Sequence, residues 1–285
     1  MPIDPQMAVG QEFTGGRTQW RREDIVLYHL SLGAGDPPTD AGELAYVGLD
    51  ELKVLPSFGV VPTSGITGML HTLPGLDFDP EFKVHGEQDV TIHGPIPLEA
   101  DVVNTIRISD VHDKGSGAVI WLEVETRDAH GTLLFTNRRA SFIRGEGGFG
   151  GEPGPKAAIF PPERKPDLIA EAATLPQQAF LYTLGSQDEN PLHTDPEVAR
   201  RAGFDRPIIH GLCTFGVVCK TVVDHALGGD TERVARYQAR FSGPVFPGET
   251  VVTAMWEEQG QILLESKVKE RDTPAISNAA ITLNG

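Results

Sequence analysis

Two cysteines in 285 residues, Cys213 and Cys219, are too few for a disulfide-stapled secreted fold. Both fall within one predicted helix, where six residues set their Cα atoms about 9 Å apart, beyond disulfide reach. No further pair of ligands accompanies them, as a zinc site would need, so they read as small core residues. No apolar run approaches the roughly 18 residues of a membrane span. The first residues, MPIDPQMAVGQEF, hold no basic segment leading into an apolar one, and the final ITLNG is neither a prenylation box nor a peroxisomal tripeptide. The expectation is a cytoplasmic protein without a membrane partner. Positive charge is also scarce: 24 Lys and Arg against 40 Asp and Glu leave a net charge of −16, which argues against nucleic acid as a partner. That balance still allows one phosphorylated small molecule held by a few local cations.

What the chain does contain is itself, twice. IHGPIPLEADV (92–102) and FSGPVFPGETV (241–251) share a Gly-Pro, a second proline and an acidic residue before a strand-like run. VETRDAHGTLLFTNRRASFI (124–143) parallels VKERDTPAISNAAITL (268–283). FGVVPTSGITGML (58–70) takes the place of GLCTFGVVCKTVV (211–223). In the latter, Leu212, Phe215, Cys219 and Val222 are spaced three and four apart, one apolar helical face. Segments near 101–109, 118–126, 250–256 and 261–268 mix alternation with apolar runs and predict strands. Each half reads as a principal helix followed by antiparallel strands, an α+β arrangement in which the helix covers the sheet. GEGGFGGEPGPKAA (145–158) is the predicted linker, dividing the chain into 1–150 and 151–285.

One cluster has no copy in the first half. DENPLHTDPEVARRAGFDRPIIHG (188–211) gathers Asp188, Asn190, His193, His210 and Gly211, where the first half has only HLSLGAGDPP (29–38). There His29 reads as a satisfied histidine and Asp36, before two prolines, as a turn residue. Asn190-Pro191 and Asp195-Pro196 each resemble an N-cap followed by proline, with Gly203 closing the second short helix. Asp195 is therefore a cap. For Asp188 and His193, capping and acid–base chemistry through a shared water both fit. A metal site fits less well, because Asp188 and His193 have no spacing that sets two ligands on one helical face. Ser186 is nearby, yet nothing resembles a nucleophile elbow.

The run DENPLHTDPEVARRAGFDRPIIHGLCTFG resembles the signature of the MaoC-like, type 2 (R-specific) enoyl-CoA hydratases. VHGEQ (84–88), DKGSGAVIWLEV (113–124) and RGEGGFGG (144–151) resemble the first half of the double-domain members, and ARFSGPVFPGETV (239–251) with ISNAAITL (276–283) their second half. The hydratase unit of the peroxisomal multifunctional enzyme is similar throughout. This resemblance implies a tandem, or double, hot-dog fold and reversible syn hydration of a trans-2-enoyl-CoA to the (3R)-3-hydroxyacyl-CoA. It places the catalytic pair on Asp188 and His193, with Asn190 holding the loop and the Gly211 N–H facing the thioester oxygen. It also implies no metal or redox cofactor, a homodimer, and a first half that walls the acyl-chain cavity. The family usually has Ser-Gly directly before the aspartate; here Gly185-Ser186-Gln187 precede Asp188, six residues after Tyr182. Cations for the anionic CoA are expected at Arg240, with Arg236 and Lys83 as further candidates and His210 beside the substrate. A hot-dog thioesterase and a non-catalytic acyl-CoA binding module are the alternatives.

Overall fold

The computed structural model describes residues 3–48, 51–156 and 158–285. Ten strands form one sheet: β1 (Glu12–Trp20), β2 (Lys83–Ile92), β3 (Ala100–Asp113), β4 (Gly117–Asp128), β5 (Leu133–Arg144), β6 (Leu168–Ala173), β7 (Val234–Phe241), β8 (Thr250–Glu258), β9 (Gln261–Val268) and β10 (Thr273–Leu283). Their order is β1-β3-β4-β5-β2-β7-β10-β9-β8-β6. Read outward from the antiparallel β2–β7 junction, the halves run β2-β5-β4-β3-β1 and β7-β10-β9-β8-β6. The second is the first displaced by five strands, so the repeat in the sequence is a repeat in space and the fold is a double hot-dog. Alternation does the work expected of it: Val251, Thr253 and Met255 on β8 face Val268, Ser266 and Leu264 on β9, and all six are buried.

Among the described residues the α-helices are α1 (Pro5–Ala8), α2 (Arg22–Ser31), α3 (Ala41–Leu44), α4 (Gln178–Ser186), α5 (Pro196–Arg201) and α6 (Gly211–Ala226), with α6 lying on β6, β7 and β8. Helix α6 is the long one, and its predicted face of Leu212, Phe215, Cys219 and Val222 is buried. Cys213, Val218 and Val223 are buried as well, because sheet and loops enclose the helix on more than one side. One apolar core gathers residues of both halves around α6, and a smaller one packs Leu70, Leu76 and Phe78 against Ile106, Ile120 and Leu122.

The first half departs from the expectation of a long helix. Residues matching α6 form two 3-10 stretches, Pro56–Thr63 and Ile66–Thr72, with Gly65 between them at φ 77°. The cause is local: Pro62 has no N–H to give an α-helical ladder, and glycine takes the left-handed turn. A broken helix frees carbonyl groups, and buried ones need donors. Asn137 on β5 donates to Gly59 O at 2.9 Å, and Asn104 on β3 donates to Pro62 O at 2.8 Å. Gln88 then donates to Asn137 Oδ1 (2.9 Å) and Thr126 to Asn104 Oδ1 (2.7 Å), so both amides are held in place. Gly59 permits the close approach, since a Cβ there would lie 2.9 Å from the Phe135 ring and 3.0 Å from Val90.

Two further contacts fix the site. Gly185 in α4 presses on α2, where a Cβ would meet Leu27 O and Tyr28 Cα, each at 3.0 Å. Residues 145–156 and 158–167 form neither helix nor strand, and Asp113 at the end of β3 accepts from the amides of Gly115, Gly148 and Gly150, each at 2.8 Å. The start of the predicted linker is thereby tied to the first half. Among the described residues, no helix is long and apolar enough to cross a membrane.

The polar support of the broken helix is testable. Asn104→Leu removes the donor to Pro62 O and the acceptor of Thr126 while keeping side-chain volume. It should lower unfolding free energy by about 1–3 kcal/mol, the desolvation cost of a buried unpaired carbonyl. The measurement is the urea midpoint at unchanged slope; a midpoint equal to that of the parent protein would contradict this role.

Candidate active site

Helix α4 delivers the polar loop. Its C-cap is Gln187 in the left-handed region (φ 58°), so the chain turns sharply after Ser186. Ser186 Oγ donates to Tyr182 O at 2.7 Å and accepts from the Asp188 amide at 3.3 Å. The left-handed Gln187 thus sets the turn by which Asp188 leaves the helix. Asp188 Oδ1 accepts the Asn190 amide (3.2 Å), and Asn190 Oδ1 accepts the Leu192 amide (3.1 Å), capping a 3-10 turn over Pro191–His193. Asp195 caps α5 through the Glu197 and Val198 amides, as the sequence indicates. Asn190 is thus a cap, and one oxygen of Asp188 steadies the turn that carries His193.

Carbonyl partners fix the tautomers of the two histidines. His193 is buried, and its Nδ1 lies 2.9 Å from Ile208 O. A carbonyl only accepts, so Nδ1 carries the proton and Nε2 keeps its lone pair. His210, the N-cap of α6, has Nε2 3.1 Å from Asp188 O and must donate there. Its ring stacks on that of His193 at 3.8 Å and lies 5.0 Å from the Tyr182 ring. Burial pushes both imidazoles down, His210 to about 3, and the Asp188 charge opposes this only in part. Both rings are neutral at pH 7. His210, expected beside the substrate, stands in this cluster and donates to the Asp188 backbone.

Next to them, α6 begins at Gly211. Its first amides have no intrahelical acceptor, and the helix dipole adds to their positive end. The Phe241 ring lies 3.3 Å from where a Cβ of Gly211 would be, so a larger residue would crowd this amide. The first half also reaches this place. His85 on β2 stacks edge-on with Phe241 at 4.9 Å, and Arg139 on β5 donates to His85 Nδ1 at 3.4 Å. The Asp188 charge acts on both Arg139 and Lys83. The sequence reading named Lys83 but not His85 or Arg139. VHGEQ and NRRAS carried them in plain view, yet an arginine in a strand reads as a solvent-facing residue.

Arg236 and Arg240 are not part of this cluster. They alternate with the buried Tyr237 and Ala239 and so lie on the other face of β7. Arg240 holds Glu87 at 2.7 Å and Arg236 holds Asp89 at 2.5 Å, both across the β2–β7 junction. Expected to bind the substrate, they stand in seam ion pairs, which the sequence could not foresee without the register. In the first half, His29 has both ring nitrogens on backbone: Nδ1 donates to Tyr46 O (2.8 Å) and Nε2 accepts from the Leu55 amide (3.1 Å). Cys213 and Cys219 are free and buried, and burial raises both thiols. Among the described residues, no three His, Cys, Asp or Glu are grouped to hold a metal. A cleft of about 860 Å³ opens beyond the far end of α6, lined by Leu52, Lys53, Ile92, Ile96 and Asp230. It lies past the end of α6 opposite Gly211 and holds none of the residues of the 188–211 run, so the polar cluster is the candidate site.

Residues 19–145 match the MFE-2 hydratase 2 N-terminal domain and residues 158–279 the MaoC like domain. The chain is 41% identical to the enoyl-CoA hydratase ChsH3 of Mycobacterium tuberculosis, over 97% of each chain. It is 39% identical to the peroxisomal enoyl-CoA hydratase 2 of Arabidopsis thaliana, over 92% of this chain and 89% of that one. The crystal structure of a MaoC-like dehydratase from Phytophthora capsici superposes with a TM-score of 0.84 at 29% identity, covering 96% of both chains. With two hot-dog halves, a carboxylate and a neutral imidazole on one loop, and these relatives along nearly its whole length, the chain belongs to the MaoC-like enoyl-CoA hydratase 2 family.

Proposed function

We propose that the protein adds water reversibly and syn across the double bond of a trans-2-enoyl-CoA, giving a (3R)-3-hydroxyacyl-CoA in fatty-acyl metabolism, with Asp188 and His193 as the acid–base pair. The observation that carries this reading is the fixed tautomer of His193, whose Nε2 lone pair is free beside a carboxylate. A water between them yields a proton to the pair as its oxygen bonds to C3. The π electrons move toward the thioester, whose oxygen takes up negative charge, and the pair returns the proton to C2 from the same face. The Gly211 amide and the α6 dipole stabilise that oxygen. Water is added whole and no electrons are exchanged, so no metal or redox cofactor belongs to the proposal.

The second half (151–285) bears the pair, and the first (1–150) walls the acyl-chain cavity. Lys83, partly buried and pushed down to about 8 by that burial, is the proposed contact for CoA phosphate. A homodimer and a cytoplasmic location complete the proposal. Exposed Leu30 on α2 with Phe180 and Leu184 on α4 offers an apolar surface for pairing, to be read by light scattering. Two free thiols suit a reducing compartment, and fluorescence microscopy against a peroxisomal marker tests it.

Asp188→Asn and His193→Ala should each leave the fold intact and lower turnover about 10²- to 10⁴-fold, the range for a positioned acid–base group. The double variant should lose little more, since both groups act on one water. Loss of enoyl absorbance with retention of CoA on the product identifies hydration. Free thiol release would mean a thioesterase, and binding without any absorbance change would mean a non-catalytic module.

A pH profile gives a second check. His193 must be neutral to accept a proton, and burial sets it below its ordinary value of about 6.5. It therefore stays neutral as pH falls through 6.5, and the acid limb of kcat/KM should lie below that value. An acid limb at or above 6.5 would show that a solvated histidine, not this one, limits the reaction.

A further inference from the structure

We propose that a one-residue bulge at Gly86 carries the first half into the active site. It turns His85 inward, where the imidazole holds the Phe241 ring against Gly211 and so positions the amide that meets the thioester oxygen. This rests on Asp188 and His193 being the catalytic pair and on the Gly211 amide as the oxygen's donor. Strand β2 pairs with β5 as Val84↔Phe142 and His85↔Ser141 but resumes at Glu87↔Ala140, so Gly86 is the extra residue. On its other side β2 pairs with β7 from Glu87↔Arg240 onward, and one further step would set Gly86 opposite Phe241. The bulge therefore lies where the pairing of the two halves ends. A Cβ on Gly86 would meet only Ala140 O, at an ordinary 3.5 Å, so the extra residue and not the missing side chain is what matters there.

An extra residue reverses the alternation of a strand. Glu87 and Asp89 point outward to Arg240 and Arg236, and Gln88 points inward to Asn137. In unbroken alternation His85 would share the outer face with Glu87, and Val84 would point inward with Gln88. Instead Val84 is exposed, and His85 touches two inward side chains. One is Phe241, which follows the buried Tyr237 and Ala239 along β7. The other is Arg139, which follows the buried Phe135 and Asn137 along β5, whereas Arg138 lies outside, 3.8 Å from Glu123.

The inward ring is fixed at both nitrogens. Nε2 donates to Glu87 O at 3.1 Å, which leaves Nδ1 to accept from Arg139 Nη2 at 3.4 Å. Held in this way, His85 meets Phe241 edge-on, with ring centroids 4.9 Å apart and planes at 65°. Phe241 packs in turn on the start of α6: its Cδ1, Cε1 and Cγ lie 3.3, 3.4 and 3.5 Å from where a Cβ of Gly211 would be. A ring that cannot swing away holds the first turn of α6 in place and keeps water from its amides. An oxygen that gains charge needs its donor set beforehand, because moving the donor during the reaction would cost part of the stabilisation. His85 acts through Phe241 and is a positioning residue.

The test is crotonyl-CoA hydration by His85→Ala and His85→Phe, joined to the infrared carbonyl stretch of bound, carbonyl-labelled crotonyl-CoA. In His85→Ala kcat should fall at least about tenfold with KM changed less than about threefold, the pattern of an interaction made in the transition state. His85→Phe keeps a ring against Phe241 and should recover most of the loss. Adding His85→Ala to Phe241→Ala should cost little more, since both act on one amide. Asp188→Asn holds the substrate unreacted; there, His85→Ala should move the bound carbonyl stretch to higher wavenumber, as a hydrogen bond to the oxygen weakens. Parent-like kcat, a loss confined to KM, or an unmoved stretch overturns the assignment. If His85→Ala does not fold, Phe241→Leu decides by the same three readings, because it keeps apolar volume and removes the ring. Two further results separate this inference from the reading beneath it. Turnover retained by Asp188→Asn means that the catalytic pair is wrong, and a bound stretch equal to that of free crotonyl-CoA removes the Gly211 amide from the reaction. If Asp188→Asn is inactive and the stretch is shifted on binding while His85→Ala matches the parent, only the role of His85 fails.

Discussion

The hydrogen-bonded pairing of β2 with β7 sets the positions of everything else. It joins two five-stranded halves into one sheet, with Glu87 opposite Arg240, Asp89 opposite Gln238 and Thr91 opposite Arg236. A slip of one residue would turn each inward side chain outward and separate Arg240 from Glu87 and Arg236 from Asp89. The same register brings His85 against Phe241 and, through Phe241, against the first residue of α6. A loop of the second half and two strands of the first therefore meet at one point because two strands pair in one way.

The halves diverged by solving the same covering problem differently. In the second, α6 satisfies its own backbone and needs only apolar neighbours. In the first, prolines break the helix, and the sheet below supplies Asn104, Asn137 and Gln88 to take the freed carbonyls. A 3-10 backbone lying close on the sheet, at Gly59, fills space differently from a full helix. Polar side chains in the core are the structural cost of that change. They explain why the first half can keep the strand order of its copy without keeping its helix.

Much of this was legible in the sequence. The repeat marked the same plan of helix and antiparallel strands in each half, and the spacing of Leu212, Phe215, Cys219 and Val222 marked α6, because periodicity records burial directly. Asp195 and Asn190 were readable as caps from the prolines that follow them. The helix predicted over 58–70 failed because the repeat outweighed Pro62, whose missing N–H was visible all along. The ion pairs of Arg236 and Arg240 were not legible, because positive charge alone does not reveal a cross-strand carboxylate. Arg139 was hidden for the converse reason: only tertiary packing decides which of two adjacent arginines, 138 or 139, turns inward.

What the packing decides is the charge state of the site. Two imidazoles stacked at 3.8 Å, with both rings buried, disfavour protonation of either, since each cation would be desolvated and would repel the next. Carbonyl oxygens at Ile208 and Asp188 select opposite tautomers, leaving the free lone pair on His193 and spending the N–H of His210 on the loop. A neutral base and an ionised carboxylate can share one water without neutralising each other, as a histidine–aspartate ion pair would. His85 on β2 and Arg139 on β5 reach the start of α6 through Phe241, so the half without the pair still borders the site.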